Sequence, residues 1–197
     1  EQRPRFYDDF LGRHKVTNVH HVRLTGLTPG TVYRYRIFQQ GVDDSGHNPV
    51  AGNISASNVY SRQPYAIRTL DSKKSECRFS MINDIHGRDS ILVALTKDTK
   101  KQKPDFMVFN GDMASFMGSI EDIERDFLKR SSELFATDIP LVYVRGNHET
   151  RGPGFSEFLN LFPTETNTPC FTFRHGPVAF VVLDSGEDKP DNDIEYG

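Results

Sequence analysis

Large and polar positions alternate through Val32-Tyr33-Arg34-Tyr35-Arg36-Ile37, the two-residue period of a strand with one wet face. Upstream, Val22, Leu24 and Leu27 lead into the turn residues Thr28-Pro29-Gly30, and the pattern predicts an all-β region over residues 1–70. Within it, the Gly/Asn/Ser-rich piece 41–57 reads as a long loop and 59–69 as the last strand. A polar joint, Asp71-Ser72-Lys73-Lys74-Ser75, follows, and beyond it the period changes. Short apolar runs at 77–82, 106–109 and 140–144 predict strands. Between them lie two stretches of helical spacing. The first, 90–100, carries Ile91, Leu92 and Leu95 on one face. The second, 119–135, opens on an S-x-x-D box, Ser119 to Asp122, and turns Ile120, Ile123, Phe127 and Leu134 inward. A short helix at 155–162 and two strands, 171–174 and 178–183, around His175-Gly176-Pro177 complete the pattern. The β-α-β-α-β order predicts an α/β layered sheet.

The three middle strands share one feature: each runs straight into polar, chemically capable residues. The clusters are Asn83-Asp84-Ile85-His86-Gly87, Asn110-Gly111-Asp112 and Arg145-Gly146-Asn147-His148-Glu149. In open α/β sheets ligands gather at the carboxyl ends of strands, so the same address is reached three times. Carboxylate, imidazole and amide oxygen are hard-to-borderline donors that suit Zn, Mn or Fe. Taken singly, D-x-H or G-D says little, because Asp and Gly fill loops after strands everywhere.

Taken in order, the trio D-x-H, G-D, G-N-H-E resembles the first three signature blocks of the calcineurin-like metallophosphoesterase superfamily, from about Glu76 onward. The resemblance implies two metal ions, of Zn, Mn or Fe, and hydrolysis of a phosphomonoester or phosphodiester by in-line attack, with the metals holding the charge that builds on oxygen. It places Asp84 and His86 on the first metal, Asp112 as the bridge and Asn147 on the second. His148 is implied as the catalytic group that contacts the phosphate or leaving group. Three residues past the bridging Asp, purple acid phosphatases carry a metal-binding Tyr. Serine/threonine protein phosphatases carry there an Asp that orients the catalytic His, followed by a phosphate-binding Arg. This chain has Ser115 and Phe116, so the purple chromophore is not expected and the protein-phosphatase branch is disfavoured. Arg145 and Arg151 flank the third cluster and read as solvated loop arginines, and His175 as a hairpin residue.

The phrase from Leu24 to Tyr35 resembles the E–F corner of a fibronectin type III domain, with Tyr33 as the corner tyrosine. A full sandwich of that kind needs about 100 residues and seven strands. The expected organisation is therefore a partial fibronectin type III-like β-sandwich at 1–70. The N-terminal half of a phosphoesterase catalytic domain, itself a partial α/β sandwich, follows at 76–197. The superfamily's later lone His and G-H-x-H are not met, so the chain reads as a fragment that would be inactive alone. A β module ahead of a D-x-H domain resembles extracytoplasmic bacterial phosphoesterases, which implies a periplasmic or secreted protein. The other function the sequence allows is a non-catalytic binding or scaffold protein on a degenerate phosphoesterase fold.

Bulk properties narrow the partners. The net charge of −3 leaves no basic surplus for obligatory nucleic-acid binding, so a small phosphorylated substrate is the expected partner. No apolar run approaches the roughly 20 residues of a membrane span. Cys77 and Cys170 each fall in a predicted strand and read as buried free thiols, with a disulfide as the alternative. Asn53-Ile54-Ser55 forms a glycosylation sequon of low information.

Overall fold

The structure, a computed structural model, describes residues 9–10, 13–14, 19–43, 47, 50–57 and 63–187. The chain divides into two compact units, residues 1–27 with 34–65, and residues 28–33 with 66–197.

The described strands up to Arg68 pair in twos. β1 (Asp9–Phe10) pairs with β2 (Arg13–His14). β3 (Val32–Tyr35), which the alternating pattern predicts, pairs with β6 (Tyr65–Arg68), and Tyr35 meets Tyr65 at 5.4 Å between ring centroids. Residues 41–57, expected to be a loop, instead lie largely in a hairpin of β4 (Phe38–Asp43) and β5 (Val50–Ala56). The glycines that argued for a loop serve close approach between the strands. A side chain at Gly52 would meet the Gly41 carbonyl oxygen at 3.3 Å, and the register shifts between Gln40 and Val42 as at a bulge. Of the strand expected over 59–69, the structure describes only the end, β6; residues 59–62 lie outside the described part.

Tyr33 lies beside the turn that precedes β3. Its hydroxyl accepts a hydrogen bond from the Thr28 amide at 2.8 Å, across the turn that Gly30 makes possible with φ +67°. That bond holds the Tyr33 hydroxyl below its usual pKa.

The second unit is a mixed α/β fold on a three-stranded parallel sheet. β7 (Phe79–Ile82), β8 (Phe106–Asn110) and β9 (Leu141–Val144) lie side by side in chain order, Phe79 opposite Phe106 and Met107 opposite Leu141. The central strand is apolar and buried from Phe106 to Phe109, as a strand covered on both faces must be, and ends on the exposed Asn110. The connection from β7 to β8 holds α1 (Asp89–Thr96) and α2 (Thr99–Gln102). Its inward face is Leu92, Thr96 and Thr99; Leu95, expected inside, is 55% exposed. Thr96 is tolerated inside because its hydroxyl donates to the Leu92 carbonyl at 2.7 Å.

The helix between β8 and β9 opens at the expected capping box: Ser119 Oγ accepts from the Asp122 amide, and the Ser119 amide donates to the Asp122 carboxylate. It then alternates α3 (Ile120–Ile123) and α4 (Lys129–Ser131) with π-helical turns at Glu124–Leu128 and Ser132–Ala136. Wider π turns raise the average to about four residues per turn. The buried face is accordingly Ile123, Phe127, Ser131 and Phe135, with Phe135 in the place where Leu134 was expected. Phe127 and Phe135 pack edge-on against Phe109 of β8 at 6.1 and 5.9 Å, pairs worth about 0.5–1.5 kcal/mol each beyond their buried area. A 3₁₀ turn (Phe155–Glu157) and α5 (Phe158–Leu161) precede the hairpin of β10 (Phe171–His175) and β11 (Val178–Val182). Cys77 and Cys170 are both free, but neither is buried as expected: Cys77 is half-buried and Cys170 exposed. Among the described residues no helix is long and apolar enough to cross a membrane.

Candidate metal centre

The loops that leave β7, β8 and β9 are stitched together by their backbones. The Asp84 amide donates to the Gly111 carbonyl at 3.2 Å, His86 to Asp112 at 3.0 Å and Gly87 to Met113 at 2.8 Å. Gly111 and Gly146, one in each of the later two loops, are in contact. A side chain on Gly111 would sit 2.8 Å from the Gly146 Cα, and one on Gly146 would run into the Asp112 carboxylate. Glycine at both positions is what lets the second and third loops touch.

Asp84, His86 and Asp112 all hold left-handed backbones, with φ 56°, 52° and 56°. Asp and His are among the residue types that tolerate this region, at a cost of about 1–2 kcal/mol each. The local cost is offset by the backbone bonds just described, and the result is to aim three chemically capable side chains from three turns.

His86, Asp112 and His148 converge: one nitrogen or oxygen from each lies within 4.8 Å of the others, and the two imidazoles meet edge-to-face at 4.6 Å. This donor set fits a borderline divalent cation. Asp84 stands beside the cluster, with Oδ1 3.7 Å from His86 Nε2, its side chain 60% exposed and bonded to the Asn83 amide. Asn147 lies at the start of the turn His148–Thr150, where its carbonyl accepts from Thr150. The structure thus gathers His86, Asp112 and His148 and leaves Asp84 at the rim. His148, expected to face the phosphate, stands among the donors.

His148 is held on two sides. Its Nδ1 lies 2.9 Å from the Ser115 carbonyl, which only accepts, so Nδ1 carries the proton in that bond and Nε2 is left as the acceptor. On the other side, the Arg151 guanidinium brings Nη1 to 3.0 Å of Nε2.

Beneath the cluster lies Glu149, with no exposed surface. Its Oε1 accepts from the Met113 and Ala114 amides at 2.8 and 3.1 Å and from the Tyr143 hydroxyl at 2.8 Å. Oε2 accepts from the Asp112 and Gly146 amides at 2.8 and 2.9 Å. One buried carboxylate therefore fixes the loop carrying Asp112 to the loop carrying Asn147 and His148. Burial and the Glu149 charge push the Tyr143 hydroxyl well above its ordinary pKa, so it remains a donor. Asp112 closes the link, accepting the His148 amide at 3.1 Å.

The family profile for calcineurin-like phosphoesterases matches residues 77–194, more than half of the chain. The chain belongs to the calcineurin-like phosphoesterase family. Among solved structures, this phosphoesterase chain is similar to a purple acid phosphatase from yellow lupin (Lupinus luteus) seeds. The TM-score is 0.55 at 14% identity over 88% of this chain, a likeness of fold. The chain spans 33% of the length of that lupin chain. No curated protein matches it in sequence.

Two residues of the candidate site escape sequence reasoning. Glu149 belongs to the G-N-H-E block but carries no signal of its own, because three of its five donors sit in the loop after β8. Arg151 reads as a solvated loop arginine, yet it is only 9% exposed and its partner Glu187 lies 36 positions away. His175 is in the hairpin as expected, and it is buried there, away from the cluster.

Proposed function

We propose that this chain carries the greater part of one metal shell, and the bridging position, of a dinuclear centre that hydrolyses phosphoesters. The observation that carries the reading is the convergence of His86, Asp112 and His148 from three successive strand ends. In this reading Asp84 and His86 hold one ion, Asp112 lies between the two and Asn147 serves the other. A second ion asks for more imidazole or carboxylate donors than gather here among the described residues. When bound, the metals supply Lewis-acid stabilisation of the charge on the phosphoryl oxygens. The chain's own residues orient that chemistry. Glu149 and the Gly111–Gly146 contact fix Asp112 against the His148 amide, and the Ser115 carbonyl holds the His148 ring through Nδ1.

Ser115 at the branch-deciding position argues against a tyrosinate-ligated, coloured iron centre. The N-terminal strands and the Tyr33–Thr28 bond support a fibronectin type III-like β module ahead of the catalytic fold, and with it an extracytoplasmic placement. Fusion of the full-length gene product to a reporter active only outside the cytoplasm tests that placement.

Elemental analysis together with hydrolysis of p-nitrophenyl phosphate and its bis-ester tests the central claim. Metal-loaded full-length protein is expected to hold manganese, zinc or iron and to release nitrophenol, and Asp112→Asn is expected to lose most of both. A protein that holds no metal at equilibrium, or an Asp112→Asn variant of full activity, would sink the reading. The first result would favour the binding-scaffold alternative.

A further inference from the structure

The loop after β8 buries its apolar residues with one exception. Met113, Ala114 and Met117 have no exposed surface, whereas Phe116 is 53% exposed. A singly exposed phenyl needs no explanation by itself, but the place of this one is built. The Met117 amide donates to the Arg151 carbonyl at 2.8 Å, and the Gly154 amide to the Met117 carbonyl at 2.8 Å. The backbone beside the ring is thereby fixed to the segment that follows His148. The ring itself lies against Gly152. A Cβ there would sit 2.6 Å from the ring carbon Cε1 and 2.8 Å from Cζ, and the Gly152 backbone holds φ +91°. Only glycine leaves the ring that seat.

Both residues that flank this seat reach His148. Ser115, immediately before Phe116, sets its carbonyl 2.9 Å from Nδ1, and Arg151, immediately before Gly152, brings Nη1 to 3.0 Å of Nε2. The phenyl is thus one residue removed from each support of the imidazole, at the margin of the cluster. Met113, Ala114 and Met117 fill the protein side of the loop. The ester substituent of a phosphoryl group bound at the cluster therefore extends toward solvent, where Ser115 and Phe116 are exposed. We propose that Phe116 is a specificity-determining residue, a fixed wall on which a planar aromatic ring in the alcohol part of the phosphoester stacks. This rests on the phosphoesterase reading and deepens it by naming a substrate class. The phenyl has no charge and no hydrogen-bonding group, so what it rewards is apolar area and a ring face. Because Gly152 and the two backbone bonds already hold it, little conformational freedom is lost on stacking.

Calorimetric titration of the manganese-loaded, full-length protein tests it, with phenylphosphonate and methylphosphonate as probes that share one head group and are not hydrolysed. Wild-type protein is expected to bind phenylphosphonate about fivefold more tightly than methylphosphonate. Phe116→Ala should erase that preference and leave methylphosphonate within about twofold of its wild-type affinity. Phe116→Tyr, which keeps the ring, should retain the preference. Leu95→Ala, which removes a similarly exposed apolar side chain from α1, should not alter it. Thermal unfolding of the same variants separates a ring that binds from a ring that packs, and Phe116→Ala is expected to keep the wild-type midpoint. Equal binding of the two probes by wild-type protein, or a phenyl preference that survives Phe116→Ala, overturns the assignment while leaving the phosphoesterase reading in place. So does a lowered midpoint in Phe116→Ala with equal loss for both probes, which would mean that the protein itself covers the ring. A wild-type protein that takes up no manganese and binds neither probe fails the phosphoesterase reading itself and this inference with it.

Discussion

Glu149 concentrates more of the site's geometry than any of the residues that face the metal position. Five donors converge on two oxygens with no water in reach, so the carboxylate is the acceptor that makes three orphaned amides of the Asp112 loop and one of the Gly146 turn tolerable. Glu149→Gln keeps the volume but puts an NH₂ where at least two donors already point. It is expected to cost about 3 kcal/mol of stability and to lower metal occupancy. Chemical denaturation and elemental analysis of the same preparation check this, and an unchanged midpoint with full occupancy would refute it. Arg151 and Glu149 share a lesson about reading residues one at a time. An acid or base means one thing when solvated and another when buried, and burial of these two depends on partners 35–37 positions distant.

The secondary-structure elements divide by how local their causes are. The helix that opens at Ser119 starts where it does because its cap is written within four residues, and Ser119→Ala is expected to destabilise the protein by about 1 kcal/mol. Thermal unfolding of that variant reads the loss, and no shift in midpoint would mean that tertiary packing, not the cap, sets the start. Strand positions were legible for the same reason: β7, β8 and β9 are short apolar runs closed by Gly, Asp or Asn. What was not legible is the inward face of a helix whose turns change width. A 3.6-residue period favours Leu134, and the π turns deliver Phe135. Likewise Gly and Asn at 41–57 signal a loop locally, but cross-strand contact between Gly41 and Gly52 makes a hairpin. The candidate site follows the same division. Motif residues at strand ends could be named from the sequence, whereas the rim placement of Asp84 and the inclusion of His148 among the donors arise from turn conformations that pairing between loops imposes.

Across the second unit, a polar clasp holds the β10–β11 hairpin to the joint before β7 and the turn before β8. His175 Nδ1 accepts from the Asp71 amide at 3.0 Å, and its Nε2 lies 3.0 Å from Asp105. Asp105 also accepts from Lys74 at 2.6 and 2.8 Å and from the Arg78 amide at 3.0 Å. Burial pushes the Asp105 carboxyl up, but the bonds from Lys74, Arg78 and His175 outweigh it and hold the folded pKa below the ordinary value. A depressed carboxylate contributes stability that is present above its unfolded pKa, about 4, and is lost as pH falls through the lower folded value. Asp105→Asn is therefore expected to lower the unfolding temperature at pH 7, with the gap to wild type narrowing once the pH drops below about 4. Thermal scans at pH 7, 4 and 3 measure the gap, and a gap that stays constant would exclude Asp105 as the acid-sensitive group. A different consequence follows from the three-loop origin of the centre. Its donors arrive from loops that meet only when β7, β8 and β9 lie side by side, so whatever binds them recognises the finished sheet and has little hold on the open chain. By mass action each tenfold rise of such a ligand above its dissociation constant adds about 1.4 kcal/mol to the folded state, so for an ion bound there the folding equilibrium of this α/β core would follow the ion supply of its surroundings as well as its packing.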